Sequence, residues 1–141
     1  MLTEGTVIIV VSDNGGYPCG VEMSGSNSPL RGSKFKYQEG AILVPGFVYS
    51  SDSGAAAGLI PSASVGSSYT GLMHHVDWLS TFATLADVTV DDSDVDGVDQ
   101  WSAIAGDGDV SSPRDEVRSL PPFSLHLPHL LPDVIRTSLF F

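Results

Sequence analysis

Positive charge is scarce in this sequence: six Lys and Arg stand against 17 Asp and Glu, a formal net charge of −11. That imbalance opposes binding to phosphate backbones and anionic membrane surfaces, so nucleic acid is not an expected partner. Cysteine occurs once, at Cys19. One thiol cannot close an internal disulfide or build a zinc site by itself. No apolar run approaches the roughly 20 residues of a bilayer span. Met1 to Gly5 carries neither the basic start nor the small-residue cleavage site of a signal peptide. Internal repeats are also lacking.

What is present is globular material. With 141 residues, 42% of them hydrophobic, the expectation is one domain or a piece of one. The chain enters "TVIIVV", residues 6 to 11, with no preceding cap or turn, and so reads as starting partway into a larger domain. That run is β-branched throughout and predicts a central strand buried on both faces. A long Gly, Ser, Asn and Pro loop follows from Ser12 to Gly40. "ILVPGFVY", residues 42 to 49, predicts a second strand, which Pro45 assigns to a sheet edge or breaks. Residues 50 to 68 form a small-residue linker. Leu72, Val76, Leu79, Phe82 and Ala86 then recur at three- and four-residue spacing, predicting a helix over about 77 to 86 with Asp77 as N-cap. "DQWSAIAG" predicts a short helix around Trp101 and Ile104. Beyond Val117 the Pro-rich residues 118 to 141 predict irregular chain.

Two stretches carry chemistry. "SDNGG", residues 12 to 16, sets Asp13 and Asn14 just past the end of an apolar strand, where α/β sheets place ligands. A carboxylate and an amide carbonyl are hard oxygen donors suited to Ca²⁺ or Mg²⁺, and Gly15 and Gly16 leave room for the backbone to turn. The same residues also make an ordinary Asx turn. "PLRGSKFKYQEGA", residues 29 to 41, collects Arg31, Lys34 and Lys36, half of all the basic residues, in one loop. Such a cluster suits an anion; it also suits a solvated loop.

Taken together, "SDNGG", "LRGSK", "HHVDWLSTFATLA", "DGVDQWSAI" and "SPRDEV", in that order, resemble the sulfatase family of the alkaline-phosphatase superfamily, nearest the arylsulfatase B type. The resemblance implies a partial sulfatase domain over residues 1–117, with 118–141 unmatched. Its implied fold is a fragment of an alkaline-phosphatase-like α/β sandwich with a mixed, largely parallel sheet. It implies hydrolysis of sulfuric esters, on a sulfate ester small molecule or a sulfated glycan, in a lysosomal or secreted setting. Asp13 and Asn14 match the family's divalent-metal ligands, usually for calcium, and Lys34 matches the lysine that contacts sulfate. The family's nucleophile is a formylglycine made from the Cys of a Cys-x-Pro-x-Arg motif. Cys19 stands in no such motif, so these residues alone are expected to be inactive.

A non-catalytic alternative lies in "DSDVDGVDQWSA". Asp92, Asp94, Asp96 and Gly97 match the first half of an EF-hand loop, which would make a calcium-binding module. Ala103 stands where that loop needs a bidentate Glu, and the plainer reading is an acidic surface turn capped by Asp96.

Overall fold

The computed structural model describes residues 5–18, 25–51, 59–91, 93, 95–106 and 111–117, with the backbone of 138–140. Expectations for Cys19, Asp92, Asp94 and most of the Pro-rich tail fall outside these residues.

Residues Val7–Val11 form β1, as the β-branched run predicts. It pairs antiparallel with β2, Pro45–Ser50, in a register that sets Val7 opposite Ser50 and Ile9 opposite Val48. A short helix, α1, Glu39–Ile42, precedes β2. Two residues of β3, Ser68–Tyr69, pair antiparallel with β4, Ser138–Phe140, which itself lies parallel to β2. The sheet order is β1-β2-β4-β3.

The structure corrects several expectations. The sheet is mixed but not largely parallel: two of its three described pairings, β1 with β2 and β3 with β4, are antiparallel. β1 lies at the edge of the described sheet rather than at its centre. Val7 and Ile9 pack on the core while Val10, on the other face, is 47% exposed; β-branched residues fit a pleated strand whether or not both faces are covered. Of the two readings offered for β2, the edge position is not the one found, since β2 lies inside the sheet, whereas the break at Pro45 is, since the strand begins there. Pro45 is its first residue, where a missing N–H is tolerated, and its carbonyl accepts the Ser12 N–H at 3.1 Å. The tail expected to be irregular contributes β4.

The core gathers Val48, Ile60, Tyr69, Met73, Ala103 and Ile104, with Val7, Ile9, Trp78 and Trp101 against it. Helix α2, Asp77–Leu85, and helix α3, Trp101–Ala105, fall where the sequence predicts them. α2 ends as Val88 N–H reaches the Ala83 carbonyl at 2.8 Å, with Asp87 in the left-handed conformation at φ 54°. Its apolar stripe is only partly covered: Leu79 is 56% exposed and Phe82 47%. Phe82, Leu85 and Ala86 share a cleft with Val7, Ile9 and Leu59, so the helix does lie over β1. The fully buried positions of α2 are polar, Asp77 and Thr81. Among the described residues no helix is long and apolar enough to cross a membrane.

Candidate functional site

Past Val11 the chain leaves the sheet and enters a cluster of loops held almost wholly through the backbone. Gly15 N–H donates to the Ala41 carbonyl at 2.8 Å, and Gly40 N–H to the Arg31 carbonyl at 2.8 Å. A Cβ on Gly15 would run into the Gly40 carbonyl oxygen, so glycine is required there by close approach. The glycine pair of "SDNGG" thus meshes with the "EGA" of α1.

Asp13 is exposed, and its carboxylate makes no hydrogen bond or ion pair among the described residues. Asn14 is half-buried and donates its Nδ2 to the Gly15 carbonyl at 3.1 Å, which leaves Oδ1 as its outward chemistry. Ser12 Oγ steadies this turn by donating to the Asn14 carbonyl at 3.0 Å. Both side chains therefore offer oxygen to a hard cation, in keeping with the chemistry Ca²⁺ and Mg²⁺ require. Two donors fit such an ion but do not fill its shell. No group of three His, Cys, Asp or Glu residues able to hold a metal forms among the described residues.

Lys34 comes to this loop through its backbone: its N–H donates to the Gly16 carbonyl at 3.0 Å, two residues beyond Asn14. Its Nζ lies 5.6 Å from the centre of the Phe35 ring, which makes an edge contact with Tyr17 at 5.9 Å. Phe35 holds φ 72° and is largely exposed. Arg31 and Lys36 are exposed on the same loop.

Two residues that sequence reasoning passed over help to hold the cluster. Asn27 bonds to both Gly16 and Gly32, and His75 Nε2 donates to the Ser12 carbonyl at 3.0 Å, tying the start of α2 to the residue before Asp13. A carbonyl can only accept, so the proton of that imidazole sits on Nε2. The signal for His75 was its place in "HHVD"; Asn27 gave none, since an Asn among Gly and Ser reads as a turn residue.

Asp77 is the largest departure from expectation. It does not cap α2; its Oδ2 accepts the His74 N–H at 2.8 Å and its Oδ1 the Val98 N–H at 3.0 Å, both outside the helix. Arg114 closes on it from 37 residues away, with Nε at 3.0 and 2.9 Å from the two oxygens and a second nitrogen forming the ion pair. Gln100 Nε2 adds a bond at 3.2 Å. Burial pushes the Asp77 carboxyl up, but the Arg114 guanidinium and the two N–H donors outweigh it and hold it below the usual range. The same contact raises Arg114. His74, beside this pair, is lowered, chiefly by burial. Gly97 packs its backbone on the Val76 carbonyl, where no Cβ fits, and Asp96 offers its own carbonyl to Arg114 at 2.8 Å. Ala103 is buried in the core.

Comparison with known proteins points to the sulfatase family. A family model described as Sulfatase matches residues 2–88. Arylsulfatase J of Mus musculus is 40% identical over 113 residues, which is 79% of this chain and 17% of that relative. The chain thus spans about a sixth of the length of the curated relative it matches. No solved structure gives a significant match. Since the Sulfatase match takes in β1, the glycine loops, β2 and α2, the chain belongs to the sulfatase family.

Proposed function

We propose that these residues form part of the site of a sulfuric ester hydrolase, built on an alkaline-phosphatase-like α/β sandwich. Asp13 and Asn14 are its divalent-metal ligands, for Ca²⁺ or Mg²⁺, and Lys34 its contact to the substrate sulfate. The observation that supports the reading is the Lys34 N–H to Gly16 carbonyl bond at 3.0 Å, which sets the basic loop against the loop bearing the oxygen donors. When bound, the cation would neutralise charge on the sulfate oxygens. The Asp13 carboxylate and the Asn14 Oδ1 would hold that cation, and the Lys34 ammonium would oppose negative charge developing on the sulfuryl group, a preorganised electrostatic role. Sulfate esters of small molecules or of glycans are the substrate class, and a lysosomal or secreted setting accompanies the proposal.

The nucleophile belongs to a Cys-x-Pro-x-Arg motif that these 141 residues do not contain. Residues 1–141 on their own are therefore expected to release nothing from a chromogenic aryl sulfate in millimolar Ca²⁺. They are expected to bind Ca²⁺ weakly, with a Kd on the order of 10⁻³ M, and Asp13→Ala should abolish that binding. Turnover above buffer that disappears in Asp13→Ala would overturn the expected inactivity. Ca²⁺ binding that is unchanged in Asp13→Ala would overturn the ligand assignment.

A further inference from the structure

We propose that Asn27 is a positioning residue: it clamps the Asp13–Asn14 loop to the Lys34 loop, so that a cation on the first and an anion on the second bind cooperatively. The cooperative part rests on the cation-and-sulfate reading given above; the clamp itself does not.

The carboxamide makes three of its four possible hydrogen bonds in this task. Its Oδ1 accepts the Gly16 N–H at 2.6 Å, and its Nδ2 donates to the Gly16 carbonyl at 2.8 Å and to the Gly32 carbonyl at 2.9 Å. Both Nδ2 hydrogens are thereby engaged. The reciprocal pair with Gly16 copies the two-bond pairing between residues facing each other on antiparallel strands. Asn27 thus does for Gly16 what a neighbouring strand would do, just past the end of β1. Its other bond reaches Gly32, two residues before Lys34, and Lys34 N–H shares the same Gly16 carbonyl. The Asn27 main chain is itself fixed, since its carbonyl accepts the Leu30 N–H at 2.7 Å. A continuous run of bonds therefore leads from two residues after Asn14 to two residues before Lys34.

The partners separate positioning from general stability. Asn27 is half-buried, and none of its side-chain bonds reaches the core cluster of Val48, Ile60, Tyr69, Met73, Ala103 and Ile104. Loss of the amide should loosen the two loops, leaving the Lys34 N–H to Gly16 carbonyl bond as their direct link, while β2 and α2 stay folded. Aspartate would keep the acceptor for Gly16 N–H but turn both carbonyl contacts repulsive. Alanine would remove all three bonds.

The test compares residues 1–141 with Asn27→Ala and Asn27→Asp. Amide hydrogen exchange is followed at Gly16, Lys34, β2 and α2, and Tb³⁺ binding is followed by luminescence with and without sulfate. In wild type, sulfate should tighten Tb³⁺ binding about fivefold or more, the scale of ordinary coupling between sites. In both variants that coupling should fall to less than half of its wild-type value, and in Asn27→Ala exchange at Gly16, whose N–H loses its acceptor, should rise about tenfold or more, with β2 and α2 unchanged. Asn27→Ala that keeps wild-type exchange at Gly16 overturns the clamp, and so does undiminished coupling in either variant. Variants that loosen β2 and α2 as much as the loops also overturn it, because Asn27 would then act only through the fold. If wild type binds neither Tb³⁺ nor sulfate while Asn27→Ala still frees the Gly16 amide, the ligand reading falls and the clamp stands. If Asn27→Ala does not fold, Asn27→Ser carries the exchange comparison and Asn27→Asp the coupling comparison.

Discussion

Replacing Asp77 by alanine would take a carboxylate that is 0% exposed out of a shell of four donor groups: the His74 and Val98 N–H groups, Gln100 Nε2 and the Arg114 guanidinium. Arg114, only 15% exposed at its side chain, would be left without its counter-charge. Removing one partner of such a pair costs about 3–5 kcal/mol, since the remaining charge stays desolvated and uncompensated. Against a total stability of about 5–15 kcal/mol that is a large share. At about 3–4 °C per kcal/mol for a chain of this size, the melting temperature should fall by about 10–20 °C. Urea unfolding followed by circular dichroism at 222 nm measures the change directly. A cost below about 1 kcal/mol would refute the reasoning, because it would put the contact in the class of exposed surface pairs. The pH dependence is a second check. In wild type the Asp77 carboxyl sits below its ordinary value of 3.8. Its contribution is therefore present above 3.8 and lost as pH falls through the lower folded value. In Arg114→Leu the chief cause of the lowering is gone while burial still opposes the charge, so this loss of stability on acidification should shrink. Equal acid slopes in the two proteins would contradict this account.

Two further outcomes are expected. Gly15→Ala should cost about 2–3 kcal/mol, because the new Cβ meets the Gly40 carbonyl and not a yielding side chain, as a shifted urea midpoint would show; an unchanged midpoint would mean that the two loops do not mesh. His74 has a folded pKa below 6.5, so its neutral form is favoured by folding, and stability should fall as pH drops from 6.5 through that lower value. His74→Gln should flatten that part of the thermal unfolding profile, and a profile of unaltered slope would assign the titration elsewhere.

Local patterns carried β1, α2 and α3 from sequence to structure, because each rests on near neighbours: a β-branched run, a three-and-four spacing, a Trp and Ile beside small residues. The ordered motifs likewise marked Asp13, Asn14 and Lys34 as candidates. What sequence reasoning missed depends on distant partners. Asp77 looks like a cap until Arg114 is brought to it across 37 residues. Asn27 looks like a turn residue until Gly16 and Gly32 converge on its amide. The edge position of β1 was hidden because β-branched residues do not reveal how many faces are covered, and β4 because its three residues pair only with strands far away in the chain.

The long span between Asp77 and Arg114 also sets an order of events during synthesis. A chain emerging from its N-terminus can wind α2 early, since its bonds are local, but it cannot bury the Asp77 carboxylate until Arg114 has followed. Until then that carboxylate must keep its water, and the Val98 and Gln100 segment has little reason to settle against the helix. Segment 111–117 is therefore a late fastening for Asp77, and the sheet is completed later still, since β4 follows it in the chain and lies between β2 and β3.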